Sequence, residues 1–405
     1  MQLSRHVKTS DHFGRYYTDP AIAKLLIESM ALRSPKVTID LGAGSGSLVG
    51  AAGQHWKETE FITVDIDVAA ASSKLRALYG PSFTHHAADA LDNSLAKKIG
   101  VNYGDVDAGL CNPPYIRPKW QKHFGEILED AGLSHIIPKI GTIQADVLFI
   151  GQNLRFLSSG GKLGLILPDG IIAGEKYARL RKTLATEHKI ERVIELPRRV
   201  FRNTDAKAHI VVLSKGLADD DEIQIQRLND NGFLSQVIRL SPDQATRRLD
   251  YSYLASVSNT GKKPHGRTLR DVTHLITRGS HSSSQRRSTT FPIFHTTDFV
   301  NNSTEIPLQF CLDSRTRSVA SGILAKAGDI VIARVGRNLE NKVCCLTQGE
   351  VAVSDCVFVL RVKSEFRENV LDYLTSTNGR KALHAASHGV GAAFITVEAL
   401  LALEF

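Results

Sequence analysis

Asp40-Leu41-Gly42-Ala43-Gly44-Ser45-Gly46 closes the short β-rich run Val37–Leu41 and leads into a helical pattern that begins at about Ser47. Glycines there permit a tight strand-to-helix turn and let a ligand approach the backbone, as at the switch region of a doubly wound sheet. A dinucleotide fingerprint spaces its glycines GxGxxG, whereas these follow GxGxG and are led by an acid. Asp40 would repel a pyrophosphate and suits a cationic amino group instead. The pattern around this stretch is consistent with it. Apolar runs at Phe61–Val64, Val106–Cys111, Lys162–Leu167, Ile190–Leu196 and His209–Leu213 read as strands. Pro20–Met30, Ser47–Trp56, Val68–Leu78, Thr142–Leu157 and Glu175–Glu187 read as helices, the first opened by Asp19 as N-cap with proline in the first turn. Alternation of this kind predicts an α/β fold with a Rossmann-like open sheet.

Two further acids follow later strands. Asp65, in Val64-Asp65-Ile66-Asp67, is placed to accept both hydroxyls of a ribose, and Asp89, in Ala88-Asp89-Ala90, to accept from an adenine amino group. Downstream stands Asn112-Pro113-Pro114-Tyr115. An amino group conjugated to a ring is a poor nucleophile because its lone pair is delocalised. Accepting both of its hydrogens favours the tetrahedral nitrogen that develops during attack. Asn112 offers a side-chain oxygen, and Pro113 a carbonyl on a backbone that two prolines hold rigid. Tyr115 offers a face on which a base can stack, worth ~1–3 kcal/mol in single-strand binders. Glycine turn and tetrad together predict an S-adenosylmethionine-dependent N-methyltransferase.

The chain has 405 residues, with hydrophobic content of 42% and charged content of 23%. Those values suit two soluble domains. No apolar run is as long as a membrane span requires, and Met1 to Phe13 lacks the apolar core of a signal peptide, so a cytoplasmic protein is expected. Five scattered cysteines form no pair of CxxC knuckles, which argues against a disulfide framework and against a zinc site. The expected division is a catalytic domain over 1–220, a linker over 221–244 around Asp219-Asp220-Asp221, and a mixed or β-rich domain over 245–405. Strands are expected there at Asp329–Val335, Lys342–Leu346 and Cys356–Val362, and helices at Glu365–Thr377 and Val397–Leu401. Net charge is +8, and Lys262, Lys263, Arg267, Arg270, Arg278, Arg286 and Arg287 face one anion, Asp271, over 262–287. Such a stretch is a nucleic-acid footprint.

With these motifs in order, the chain resembles the gamma class of adenine-N6 DNA methyltransferases of restriction–modification systems. Phe13-Gly14-Arg15-Tyr16-Tyr17-Thr18-Asp19-Pro20 is similar to the N-terminal motif that lines the methionine end of the cofactor, which implies roles for Tyr17 and Thr18. Asp40, Gly42 and Gly44 match the glycine motif, Asp65 the ribose acid (usually Glu, one methylene longer), and Asp89 the acid near the cofactor adenine. Asn112, Pro113, Pro114 and Tyr115 match the catalytic tetrad, and Phe201 falls where the class places a second aromatic against the flipped base. The second domain resembles target-recognition domains of this class and of type I specificity subunits. Arg248-Leu249-Asp250-Tyr251, Thr268-Leu269 to Thr277-Arg278-Gly279, Ala327-Gly328-Asp329-Ile330-Val331 and His388-Gly389-Val390-Gly391 carry that likeness. The resemblance implies methyl transfer to an adenine extruded from double-stranded DNA, with Lys262, Lys263, Arg267, Arg278, Arg286, Arg287, Arg334 and Arg337 on phosphate. Asp329 is expected in a turn, and Cys111 as the last buried residue of its strand, with no nucleophilic part.

Methyltransferases of a release-factor glutamine share the tetrad but lack a large C-terminal domain. Methylation of structured RNA and a catalytically silent DNA-binding module stay open as rival readings. A cognate restriction endonuclease, if there is one, is expected on a separate polypeptide.

Overall fold

The computed structural model describes residues 18–67, 82–136, 143–197, 207–216, 221–246, 248–258, 267–301, 303–387 and 393–405. The chain divides into two compact units, Met1–Tyr251 and Ser252–Phe405.

The first unit is built on one nine-stranded sheet. Its strands are β1 (Val37–Leu41), β2 (Glu60–Asp65), β3 (Phe83–Ala87), β4 (Val106–Cys111), β5 (Leu157–Pro168), β6 (Lys189–Glu195), β7 (Ala208–Ser214), β8 (Ile223–Arg227) and β9 (Ile238–Leu240), in the order β3-β2-β1-β4-β5-β7-β6-β8-β9. The first five in that order run parallel, and β7 is antiparallel to both its neighbours. β7 is buried along its whole length and β1 and β4 nearly so, because helices cover parallel strands on both faces. On one face Leu26, Met30 and Trp56, from the helices Pro20–Ser29 and Ser47–His55 and their ends, pack with Ala108, Leu110 and Ile210. The helix Ala145–Phe156 is buried at every position, as a helix enclosed by its own unit must be. The chain reverses direction across the sheet at β1, with β2 on one side and β4 on the other, so ligands are expected beyond the carboxyl ends of these strands.

Expected strands and helices of this unit are found to within a few residues, apart from Val68–Leu78, which lies outside the described residues. Two readings are corrected. Residues 221–244, expected as a linker, carry β8 and β9, which extend the catalytic sheet beyond β6. Ile223 and Ile225 are buried there while Gln224 reaches Arg192 on β6, so polar composition concealed a strand paired on both sides. Arg248-Leu249-Asp250, expected to open the second domain, belongs to the first unit: Leu249 N donates to Ile172 O at 3.1 Å.

The second unit is mixed α/β. A four-stranded sheet orders β10 (Thr273–Arg278), β17 (Val357–Val362), β13 (Ile330–Ala333) and β15 (Val343–Cys345). A three-stranded sheet joins β11 (Ile293–Phe294), β16 (Glu350–Val353) and β12 (Leu324–Lys326), and β14 (Val335–Gly336) pairs with β18 (Ala393–Phe394). One apolar cluster sets Leu360 and Ile332 against Val370, Leu374 and Leu383, and another sets Val331 and Val359 against Phe294 and Val351. The single helix expected over 365–377 is two, Arg367–Thr375 and Thr377–Ala386. Ser376 caps the second by accepting from Gly379 N at 3.0 Å.

Candidate active site

The glycine turn is built by backbone conformations that side chains resist. Gly42, Gly44 and Gly46 have φ of 77°, 52° and 75°. Gly42 N donates to Val64 O at 2.8 Å, folding the turn back onto β2. A Cβ at Gly42 would also lie 3.2 Å from Phe149 Cε1, so a side chain there would press on the aromatic ring of the buried helix in addition to straining φ. Gly44 N donates to Asp65 Oδ2 at 2.7 Å, and Asp67 N donates to Asp65 Oδ1 at 2.8 Å. Asp65 is thereby locked in place, and each oxygen retains a second lone pair toward the site.

A cavity of about 270 Å³ opens at the carboxyl ends of β1, β2 and β4. Its wall brings together Thr18, Asp40, Gly42, Gly44, Asp65, Asp89, Asn112 and Pro114. Asp19 caps the helix Pro20–Ser29 by accepting from Ala21 N at 2.8 Å, and this fixes Thr18 beside Asn112, whose Nδ2 donates to Thr18 Oγ1 at 3.1 Å. Asp89 stands exposed at the rim in a tight turn, accepting from Leu91 N at 2.9 Å. Pro113 is buried behind the wall, and half-buried Tyr115 lies off it, followed by wall residue Ile116. Tyr17, Phe201, Lys262 and Lys263 lie outside the described residues.

Asp40 is the electrostatic centre of the cavity. It is fully buried, and neither carboxylate oxygen has a hydrogen-bond partner among the described residues. Burial first, and the charge of Asp65 second, push its pKa up to about 8. A buried carboxylate without donors carries a desolvation cost that a cationic ligand group would relieve. The wall thus fits S-adenosylmethionine: a cation-seeking acid at one end, backbone exposed at positive-φ glycines, and a second acid held rigid beside them. Cys111 is different. It is fully buried, its Sγ donates to Leu41 O at 3.1 Å, and burial with the charge of Asp40 holds its thiol well above its ordinary range, which suits strand packing and not attack.

Several wall residues had no signal in the sequence. Ile66, Leu91, Phe124 and Phe149 form its apolar part, and Lys119 and Gln121 its polar edge after the tetrad. Ile66 stood out only as an apolar residue between two acids; the others come from elements whose facing depends on packing.

The sequence profile of the N-6 DNA Methylase family matches residues 3–237, more than half of the chain. The chain belongs to this family. Curated relatives include the type I restriction enzyme EcoEI methylase subunit of Escherichia coli, 22% identical over 53% of this chain and 45% of that protein. The type I restriction enzyme MpnII methylase subunit of Mycoplasma pneumoniae is 23% identical over 67% of this chain and 53% of its own length. The chain thus spans only about half the length of these relatives. Among solved structures, the type IIG restriction endonuclease BpuSI has a similar fold, with a TM-score of 0.54 at 13% identity, over 98% of this chain and 59% of that one. That likeness runs past the methylase match into the second unit.

The basic residues expected on DNA have varied surroundings in the second unit. Arg278, at the end of β10, and Arg337 are exposed. Arg267 lies 4.5 Å over the Phe366 ring, and Arg334 Nε donates to Asp355 O at 2.9 Å. Arg286 is committed to Asp298 at 2.5 and 2.7 Å, so any phosphate would have to share it. The backbone of Arg287 closes a 3-10 turn, and its side chain lies outside the described residues. Asp329 sits in a turn as expected, accepting from Lys326 N at 2.8 Å, and also binds Arg361 through both oxygens at 2.8 and 2.7 Å.

Proposed function

We propose that this chain transfers a methyl group from S-adenosylmethionine to N6 of an adenine flipped out of double-stranded DNA, as the modification half of a restriction–modification system or as a solitary modifier. The observation that carries the reading is a single cavity whose wall includes both the Asp40–Gly44 turn and Asn112 with Pro114. When bound, S-adenosylmethionine supplies a methyl group made electrophilic by its sulfonium. Asp40 would hold the methionine amino group, Asp65 the ribose hydroxyls and Asp89 the adenine amino group, with Thr18 at the methionine end. Asn112 Oδ1 and the Pro113 carbonyl accept the two N6 hydrogens of the target, which localises the nitrogen lone pair for attack. Tyr115 offers its ring to the flipped base, with Phe201 as the second aromatic. The methyl carbon would pass directly to N6 as its bond to the sulfonium sulfur breaks, leaving S-adenosylhomocysteine, and the positively charged nitrogen would then lose a proton to water. No protein nucleophile takes part.

The second unit is read as the target-recognition domain, with its exposed arginines on phosphate. The test incubates the protein and S-adenosylmethionine with unmethylated plasmid DNA and analyses the digested nucleosides by mass spectrometry. N6-methyladenine is expected with wild type and not with Asn112→Ala. Its absence from the wild-type reaction, with cofactor still bound, would overturn the reading.

A further inference from the structure

The tetrad is followed at once by a basic stretch, Ile116-Arg117-Pro118-Lys119-Trp120-Gln121-Lys122, with Arg117, Lys119 and Lys122 exposed. Its start is fixed in two places. Ile116 N donates to Pro114 O at 2.9 Å, and Ala145 N donates to Ile116 O at 3.0 Å, tying the segment to the first turn of the helix Ala145–Phe156. A second cation reaches the same turn from the other side. Tyr177 Oη donates to Gln144 Oε1 at 2.8 Å, and Lys176 Nζ lies 3.4 Å from that hydroxyl and 4.9 Å from the centre of the Tyr177 ring. Lys176 and Arg117 are both exposed. The two are near enough to act on each other: partial burial, and then the Arg117 charge, hold the Lys176 ammonium below its ordinary range. Asp146, in the first turn of the helix Ala145–Phe156, is almost wholly buried, and burial pushes its pKa up to about 6. Two exposed cations close enough to repel each other beside the tetrad form a place where a phosphate would relieve that repulsion.

The geometry points to Arg117 and Lys176 as a phosphate clamp on the catalytic unit, taking the DNA backbone beside the flipped nucleotide. This rests on DNA being the substrate. The clamp lies directly after Pro114 and Tyr115, where a base extruded into the cavity brings its own strand, and it differs from the basic residues of the second unit in belonging to the unit that does the chemistry. Phosphate contacts hold register and carry no sequence information. The clamp therefore supplies binding common to every site, and leaves base reading to other residues.

The experiment follows steady-state methyl transfer to unmethylated plasmid DNA at several salt concentrations, for wild type, Arg117→Gln, Lys176→Gln, Lys176→Arg and Lys57→Gln. Lys57 is exposed at the opposite, amino-terminal end of β2 and serves as the charge-matched control. Arg117→Gln and Lys176→Gln are expected to raise KM for DNA several-fold and to lower the slope of log KM against log salt by about 1 each. Lys176→Arg is expected to restore most of the loss, and S-adenosylmethionine affinity by titration calorimetry to stay at the wild-type value in every variant. If Arg117→Gln and Lys176→Gln track Lys57→Gln, the clamp is wrong although DNA remains the substrate. Failure of wild type to methylate DNA would instead overturn the underlying reading and the clamp with it.

Discussion

Asp40 and Asp65, on neighbouring parallel strands, face one cavity with opposite degrees of satisfaction: Asp65 accepts two backbone N–H bonds, while Asp40 accepts none among the described residues. The difference assigns them different work. A carboxylate already held by donors is a rigid acceptor for hydroxyls. One buried without donors is poised for a cation, and its protonation should govern ligand binding.

Cofactor affinity is therefore expected to depend on pH through Asp40. Its pKa stands near 8 in the folded, ligand-free protein, and a cationic amino group binds the ionised form. Between about pH 5.5 and 7, where the ligand amino group stays protonated, affinity should rise toward about tenfold per unit. Calorimetric titration of wild type against Asp40→Asn checks this; the variant should bind weakly and without that slope. Stability moves the other way. Because the folded pKa is raised, the folded state keeps a proton that the unfolded state loses above about pH 4, so this group costs stability as pH rises from about 4 to 8. Thermal melts of Asp40→Asn should gain on wild type over that window.

Gly42 and Gly50 make a matched pair of substitutions. Alanine at Gly42 meets a positive φ and the Phe149 ring. It should cost about 1–2 kcal/mol, with loss of cofactor binding. Alanine at Gly50, inside the helix Ser47–His55, meets no heavy atom within 4 Å. It should gain about 0.5–1 kcal/mol. Urea unfolding of both variants checks the signs; equal effects would mean that the turn tolerates a side chain.

Cys111 lies next to Asn112 and invites a nucleophilic role that its surroundings deny. The buried thiol donates to Leu41 O. Cys111→Ala should keep methyl transfer within about a few-fold of wild type while losing about 1 kcal/mol of packing and hydrogen bonding. Loss of turnover, with fold and cofactor binding intact, would restore a catalytic thiol.

What the sequence made legible was local. The glycine turn, the tetrad and the acids at the ends of β1 and β2 and after β3 each declare themselves within a few residues, and the fold brings Gly42, Gly44, the three acids, Asn112 and Pro114 to one wall. β3 itself, Phe83-Thr84-His85-His86-Ala87, has too little apolar pattern to be picked out as a strand; Thr63 Oγ1 meets His85 Nδ1 at 2.9 Å, a contact that alternation cannot foretell. β8 failed for the same reason, its buried Ile223 and Ile225 lying among Gln and Arg. Phe149, Lys176 and Asp146 join the site region through packing between elements distant in sequence, which no local pattern encodes.

Lys207 illustrates that last kind of residue, and its removal should destabilise the fold more than any substitution above. Its Nζ lies 3.2 Å from Glu195, 3.5 Å from Asp250 and 3.6 Å from Asp169, all buried, while Arg248 binds Asp250 at 2.6 and 2.8 Å and His209 meets Asp169 at 3.0 Å. Burial alone would raise Asp169 and Asp250; Lys207, with His209 and Arg248 on Asp169, and Arg248 with Lys207 on Asp250, more than reverse it and hold both below the usual carboxylate range. Acids with depressed pKa contribute stability above their unfolded value, near pH 4, and lose it as pH falls through the folded one. Lys207→Met removes the cation shared by three buried carboxylates and should cost about 3–5 kcal/mol. Urea unfolding of wild type and Lys207→Met at pH 7 checks the size of the loss, and a cost below about 1 kcal/mol would mean that the ion cluster contributes little to the fold.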